Sequence, residues 1–352
     1  MNLLYSQDEE ALRDSLRDLL RTRAGSPDDG FDAEVWRLLT VELGVTGLVI
    51  PEKLGGAGAS LREAALVMEE LGRFLTPVPY LGCAVMAVTA LRVAGDTAIL
   101  PRIADGSVCA ALAVPFAGPA GDVRVTDGTL TGRLESVADA LAADVLLVPA
   151  GGDLYEVAAD GPGVTRTPVV SLDVTRPLVD VALSAAPGRR IGPARPALGA
   201  ARTAGAALLA SEQLGVAEWC LDTTVEYART RIQFGRPIGS FQAIKHRLAD
   251  VWVSVTQSRA VARFAAGAVS GADPDGAEPR LAAALAQAHC GPVAVRAAEE
   301  CVQLHGGIGF TWEHPAHLYL KRAKTTSIAL GTAAAHRRQL AGLLGLTPAG
   351  TP

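Results

Sequence analysis

The run Ala201–Arg231 contains no proline, and its only two glycines, Gly205 and Gly215, lie well inside it. A stretch of that length without a breaker predicts one long helix. A helix so long draws most of its stability from partners that cover its apolar residues. The sequence supplies them. Phe241–Ser270 reads as a second helix, and Pro279–Leu304 as a third, Ala-rich one that Pro292 is expected to kink. Lys324–Leu344 closes the set, so 198–352 is expected to form a four-helix bundle.

Upstream of the bundle the texture changes. Cys109–Val114, Val123–Leu130, Val145–Pro149, Gly163–Thr167 and Leu178–Leu183 are short apolar or alternating runs separated by Gly, Pro and Asp. They predict strands and turns, hence a small β domain over 108–197. Ala186–Pro196, with three prolines and two glycines, reads as a linker. The first part, 1–107, reads as helical. Ser6 and Glu9 make a capping-box pattern ahead of Leu12, Leu16, Leu19 and Leu20. A break at Gly25–Gly30 precedes a helix carrying Phe31, Val35, Leu38 and Leu39. Gly55–Gly58 is a loop, Ser60 caps a helix to Leu71, and Cys83–Ala94 is a further apolar helix. The expected fold is mostly α with a small central β domain.

Composition narrows the function. With 49% hydrophobic and 20% charged residues over 352 positions, the chain can bury a large core and is not disordered. A net charge of −5 with scattered Lys and Arg argues against a nucleic-acid partner. Five cysteines with no CxxC pair read as reduced buried thiols. The polar, acidic Met1–Glu10 is unlike a secretion signal, and apolar stretches such as Leu141–Ala150 are too short to span a bilayer. The expectation is a cytoplasmic protein without a membrane span. There is no GxSxG elbow, GxGxxG loop or P-loop, and His305, His314 and His317 lack zinc-ligand spacing, so no metal is expected.

Two segments carry possible chemistry. In the turn between the first two long helices, Arg231 offers a fork of donors suited to a diphosphate, Phe234 an apolar face, and Gly235 close backbone approach. The plain alternative is a helical hairpin with a surface arginine. Farther on, Gln303-Leu-His305-Gly306-Gly307-Ile-Gly309 ends a long helix in a Gly-rich loop. It reads either as an ordinary glycine stop or as backbone laid against a ligand phosphate or ribose.

At these segments the chain resembles the acyl-CoA dehydrogenase family of flavoproteins. RIQFGRPIGSFQAIKHRLAD is similar to its Arg-x-x-Phe-Gly…Gln motif, and VQLHGGIGFTWEHP to its Gln-x-x-Gly-Gly-x-Gly…Glu-x-Pro motif. Residues 43–73 resemble its N-terminal helical domain and 171–183 its middle β domain. The resemblance implies an N-terminal helical domain, a middle β-barrel and a C-terminal four-helix bundle. It implies FAD as cofactor and α,β-desaturation of an acyl thioester, an oxidation acting on CH–CH bonds in lipid metabolism. It also implies that Arg231, Gln233, Phe234, Gln303, Gly306 and Gly307 contact the adenosine-diphosphate half of a neighbouring subunit's FAD.

The family's catalytic Glu has two known locations, which fall here on Leu330, before Gly331-Thr332, and on Gly205. Neither residue takes a proton, so no base is found in this chain. Glu212, two turns beyond Gly205, reads as a solvated or interface charge. The stretches 113–122 and 134–148, where the family holds flavin ring and substrate, lack its Trp and Thr. The asymmetry resembles the shorter partner subunits of bacterial α2β2 enzymes, which complete a partner's FAD site. Three readings stay open beside it: a self-sufficient homo-oligomer, a flavoprotein acting on a carrier-bound acyl group, and a non-catalytic structural paralogue.

Overall fold

A computed structural model describes residues 3–23, 30–118, 121–271, 273 and 275–346. The expected Gly25–Gly30 break therefore lies almost wholly outside the described residues. The amino-terminal helices are α1 (Gln7–Arg23), α2 (Ala33–Arg37), α3 (Leu61–Phe74), α4 (Val88–Ala94) and α5 (Leu100–Ala104). The expected capping box forms, and a second accompanies the Ser60 cap. Ser6 and Glu9 bond each other's backbone N–H ahead of α1, and Ser60 and Glu63 do so at α3. The expected helix Cys83–Ala94 is a π-helical segment, Leu81–Ala87, running into α4.

The β region holds eight strands: β1 (Ala110–Leu112), β2 (Asp122–Thr126), β3 (Thr129–Ala138), β4 (Val145–Ala150), β5 (Asp153–Ala158), β6 (Val164–Val169), β7 (Leu178–Pro187) and β8 (Arg189–Pro193). Among the described residues they form two four-stranded sheets, β1-β4-β5-β8 and β2-β3-β7-β6, without the closed barrel that the resemblance implies. Leu130, Leu134 and Val181 of one sheet share a buried core with Leu146, Val148 and Val157 of the other. That is the packing of a two-sheet sandwich.

Two expectations are corrected here. Val123–Leu130 is not one strand but a hairpin, because Asp127 and Gly128 take positive φ in a tight turn. Ala186–Pro196 is not a linker. It completes β7, forms β8 against β5, and starts α6 (Ala194–Thr230). Pro193 and Pro196 are tolerated there because the first turn of a helix leaves its N–H groups unused.

From α6 onward the chain is helical, with α7 (Gln242–Val269), α8 (Ala277–His305), α9 (Ala316–Thr326) and α10 (Ala333–Leu343). A short hairpin, β9 (Ile232–Gln233) with β10 (Arg236–Pro237), joins α6 to α7. Helix α8 continues through Pro292. The single helix expected over Lys324–Leu344 is two. Leu330 and Gly331 adopt positive φ, and the Thr332 hydroxyl accepts the Ala335 N–H to start α10 anew. Helices α3 and α6 cross at backbone contact: a Cβ on Gly72 would lie 2.2 Å from the Glu212 carbonyl oxygen, and one on Gly215 1.9 Å from that of Glu69. Among the described residues no helix is long and apolar enough to cross a membrane.

Candidate functional site

The two positions that the resemblance assigns to the catalytic Glu meet in space. A Cβ built on Gly205 of α6 would lie 3.1 Å from Leu330 Cδ1 and 3.0 Å from Met86 Cγ. Gly205, Leu330 and Met86 thus fill one apolar contact. The space left beside them is a cavity of ≈ 10 Å³, lined among others by Gly82, Met86, Phe116, Asp139 and Leu330. That volume is about one water, far below the few hundred Å³ of an ordinary ligand pocket.

The 113–118 stretch closes the space from the β side. The Phe116 N–H donates to Ser136 O at 3.0 Å, and Phe116 O accepts the Leu330 N–H at 2.8 Å. Asp139, buried and at positive φ, accepts the Gly82 N–H at 2.7 Å. Burial pushes its carboxyl above the ordinary range, against the opposing pull of Arg176. A side chain at position 82 would meet that carboxylate at 2.7 Å, so glycine is required there.

Behind Phe116 lies a buried ionic network. The Arg176 guanidinium stands 5.4 Å from the Phe116 ring centroid and pairs with Glu212 at 2.5 Å. Arg322 of α9 pairs with Glu212 at 3.0 Å and Asp173 at 2.6 Å, and donates to Thr175 O at 2.8 Å. Glu212 is therefore neither solvated nor at a surface; it is 1% exposed. Burial alone would raise its carboxyl, but Arg176 and Arg322 outweigh burial and hold it below the usual range. Met86, Asp139, Asp173, Arg176 and Arg322 escaped the sequence reading. The one legible signal was Asp173-x-Thr175, whose carboxylate accepts the Thr175 N–H at 3.0 Å in a turn that presents Arg176.

The other candidate residues lie on the surface. Arg231 closes α6, and Phe234 (φ +52) and Gly235 (φ +76) form the two-residue tip of the β9–β10 hairpin. Arg231 and Gln233 are exposed, and Phe234 is 91% exposed. Gln303, Gly306 and Gly307 are exposed at the end of α8. Gly306 has φ +63, yet a Cβ on Gly306, Gly307 or Gly235 would meet nothing within 4 Å. No packing within the chain asks for small residues at these points. The two segments are tied by the Tyr227 ring on His305, centroids 4.4 Å apart. Phe310 and Trp312 beyond them are 77% and 81% exposed.

Residues 6–107 match the family description "Acyl-CoA dehydrogenase, N-terminal domain" and 198–344 match "Acyl-CoA dehydrogenase, C-terminal domain". The chain belongs to the acyl-CoA dehydrogenase family. It is 39% identical to acyl-CoA dehydrogenase IpdE2 of Mycobacterium tuberculosis over 90% of this chain and 91% of that one. It is 36% identical to IpdE2 of Mycolicibacterium smegmatis over 95% and 98%. Its fold is similar to the ChsE4–ChsE5 complex from Mycobacterium tuberculosis, with TM-score 0.87 and 31% identity over 99% of this chain and 100% of that one. A Tcur3481–Tcur3483 steroid ACAD variant gives 0.85 and 29% over 96% and 98%.

Acyl-CoA dehydrogenases are oxidoreductases acting on CH–CH bonds, and FAD is their cofactor. The residues of this chain fit that group unevenly. The exposed arginine, ring and uncrowded glycines suit a nucleotide approaching from outside. The ≈ 10 Å³ space beside Met86 and Leu330 is smaller than a flavin ring or an acyl chain.

Proposed function

We propose that this chain is a partner-type subunit of an acyl-CoA dehydrogenase, which completes the FAD site of a second subunit and contributes no catalytic base. The observation that carries the reading is the apolar contact of Gly205, Leu330 and Met86, with a cavity of ≈ 10 Å³ beside Met86 and Leu330. Proton removal from the α-carbon needs a carboxylate within hydrogen-bond reach. Neither assigned position has one, and the space beside Leu330 and Met86 is about one water in volume.

The remaining role is binding in trans. Arg231, Gln233 and Phe234 on the hairpin, with Gln303, Gly306 and Gly307 at the end of α8, would hold the adenosine-diphosphate half of the partner's FAD. Bound FAD supplies the hydride acceptor for desaturation. The guanidinium of Arg231 would neutralise diphosphate charge, and Phe234 would shield the nucleotide from water. Two of the similar structures support this setting: one is described as a ChsE4–ChsE5 complex, the other as a Tcur3481–Tcur3483 steroid ACAD. A polycyclic acyl-CoA thioester is accordingly the first substrate to assay.

The test is to purify the chain alone and co-expressed with a longer acyl-CoA dehydrogenase subunit. Alone it should carry little flavin and fail to turn over. In the complex, Arg231→Ala should release FAD while leaving the melting temperature of the isolated chain unchanged. Full flavin loading and acyl-CoA-dependent bleaching by the chain alone would refute the reading.

A further inference from the structure

A second space, which the proposed function does not use, lies between α1, α3, α6 and α7. It is a cavity of ≈ 420 Å³, within the range of ordinary ligand pockets. Five guanidiniums line it, from Arg13, Arg17, Arg73, Arg259 and Arg263, against three carboxylates, from Glu69, Glu218 and Asp222. Beside it a groove of ≈ 650 Å³ runs between α6 and α7. Leu221, Val225, Leu248, Ala249 and Trp252 make its apolar wall, and the exposed Asp222, Glu226 and Arg229 complete it. The two spaces share Leu221, Asp222 and Trp252, so a charged chamber stands next to an apolar one.

We propose that cavity and groove together bind an amphipathic phosphate ester, with its phosphate among the arginines and its apolar chain along α6 and α7.

The charges favour such a head group. Arg17 pairs with Glu70 at 2.8 Å, Arg73 with Asp222 at 2.7 Å, Arg259 with Glu218 at 2.6 Å, and Arg13 with Glu10. Glu10 and Glu70 are not part of the cavity wall, which leaves the wall an excess of two positive charges. A phosphate monoester carries about 1.5 to 2 negative charges at neutral pH. Arg263 is the least countered of the five. It stands 3.8 Å from Glu69, whose carboxylate already accepts the Tyr5 hydroxyl at 2.7 Å. Burial, then Glu218, push Glu69 up to about 7, which weakens it as a counter-charge. The buried Nε atoms of Arg13 and Arg263 have no acceptor among the described residues.

The geometry favours the same ligand. Ion pairs that serve stability alone gain by closing on each other, whereas these five guanidiniums surround an open volume. Their carboxylate partners fix the forks in place, so a phosphate meets donors that are already oriented. Trp252, 59% exposed, stands where the two spaces meet and gives the chain an apolar face to leave the head group along.

Isothermal titration calorimetry of the purified full chain with octyl phosphate, below its micelle concentration, tests the site. Ethyl phosphate and 1-octanol, each half of the ligand, should bind at least about tenfold more weakly. Octanoyl-CoA in parallel separates two sources of one chemistry. It binds more tightly than octyl phosphate where the natural ligand is a CoA thioester, and less tightly where it is a lipid phosphate. Arg259→Gln and Trp252→Asp, at positions 39% and 59% exposed, should each weaken the tighter of these two ligands about tenfold with the melting temperature unchanged. Arg124→Gln, 84% exposed on β2, should leave binding as it is. Should Arg259→Gln fail to fold, Trp252→Asp decides. Absence of binding by both ligands, equal binding of ethyl phosphate or 1-octanol, or binding that survives the cavity variants overturns the proposal. So does a groove that proves to be a subunit contact, seen as Trp252→Asp lowering the assembly state on gel filtration while octyl phosphate binding persists. An acyl-CoA held beside Leu330 would survive both variants, so the outcome is distinct from that of the subunit reading.

Discussion

Replacing Arg322 by Met tests whether the buried ionic network holds the β sheets to the helical bundle. Methionine keeps much of the stem and removes the guanidinium. Asp173 then loses its 2.6 Å cation while 1% exposed, and Glu212 keeps only Arg176. Removing one partner of a buried pair costs about 3–5 kcal/mol, because the other charge stays desolvated. At roughly 2–4 °C per kcal/mol for a domain of 150–250 residues, the melting temperature should fall by about 6–20 °C. Circular dichroism of the full chain reads this directly. The double variant Arg322→Met with Asp173→Asn removes the orphaned charge and should melt above the single variant. The pH sign follows from Glu212. Its folded carboxyl lies below its ordinary value of 4.5, so its contribution is present above that value and is lost as pH falls through the lower, folded one. Arg322→Met should therefore show a shallower acid loss than the wild type. A melting temperature within about 2 °C of wild type, or a double variant no better than the single, would refute the network's role.

Two further outcomes are expected. Gly215→Ala should lower stability by about 1–3 kcal/mol or more, seen as a reduced urea midpoint, because its Cβ would sit 1.9 Å from the Glu69 carbonyl oxygen and force α3 off α6. Glu69 is pushed up to about 7 by burial, then by Glu218, so stability falls as pH rises from its ordinary 4.5 through 7; Glu69→Gln should raise the melting temperature near pH 8 more than near pH 5.

The parts of this fold that were legible are those fixed by local chemistry. Ser60 and Glu63 announce a helix start because each satisfies the other's backbone, wherever the helix then packs. The proline-free run from Ala201 had to be one helix, and α6 is continuous from Ala194 to Thr230. What escaped depends on neighbours distant in sequence. Strand β8 exists because β5 lies beside it, although its residues spell a linker. The break before α10 has no proline to mark it; it depends on positive φ at Leu330, whose N–H is held by Phe116 O across the molecule. Glu212 looked like a surface charge because nothing nearby in sequence reveals that Arg176 and Arg322 converge on it. At the candidate site, residue identity showed that Leu330 and Gly205 could not take a proton. Only the structure shows that they are neighbours and that Leu330 and Met86 leave no room for a Cβ on Gly205.

The filled cavity and the ionic network are one feature seen from two sides. Phe116 is the shared element: its backbone oxygen holds Leu330, and its ring faces Arg176, which grips Glu212 on α6. A route of direct contacts therefore runs from the β sheets through Phe116 to both α6 and the loop before α10. A flavin ring and acyl group seated between these elements would have to part the Phe116–Leu330 hydrogen bond and displace Met86 from Gly205. A glutamate at position 205 would supply a carboxylate but would crowd apolar Met86, whose Cγ lies 3.0 Å from a Cβ built there. On the proposed reading, the absence of a base and the tight apolar contact reinforce each other. On the proposed partner-subunit reading there is no substrate to deprotonate here, so a carboxylate at those positions would only carry a desolvation cost, and apolar side chains that tighten the contact would be favoured in its place.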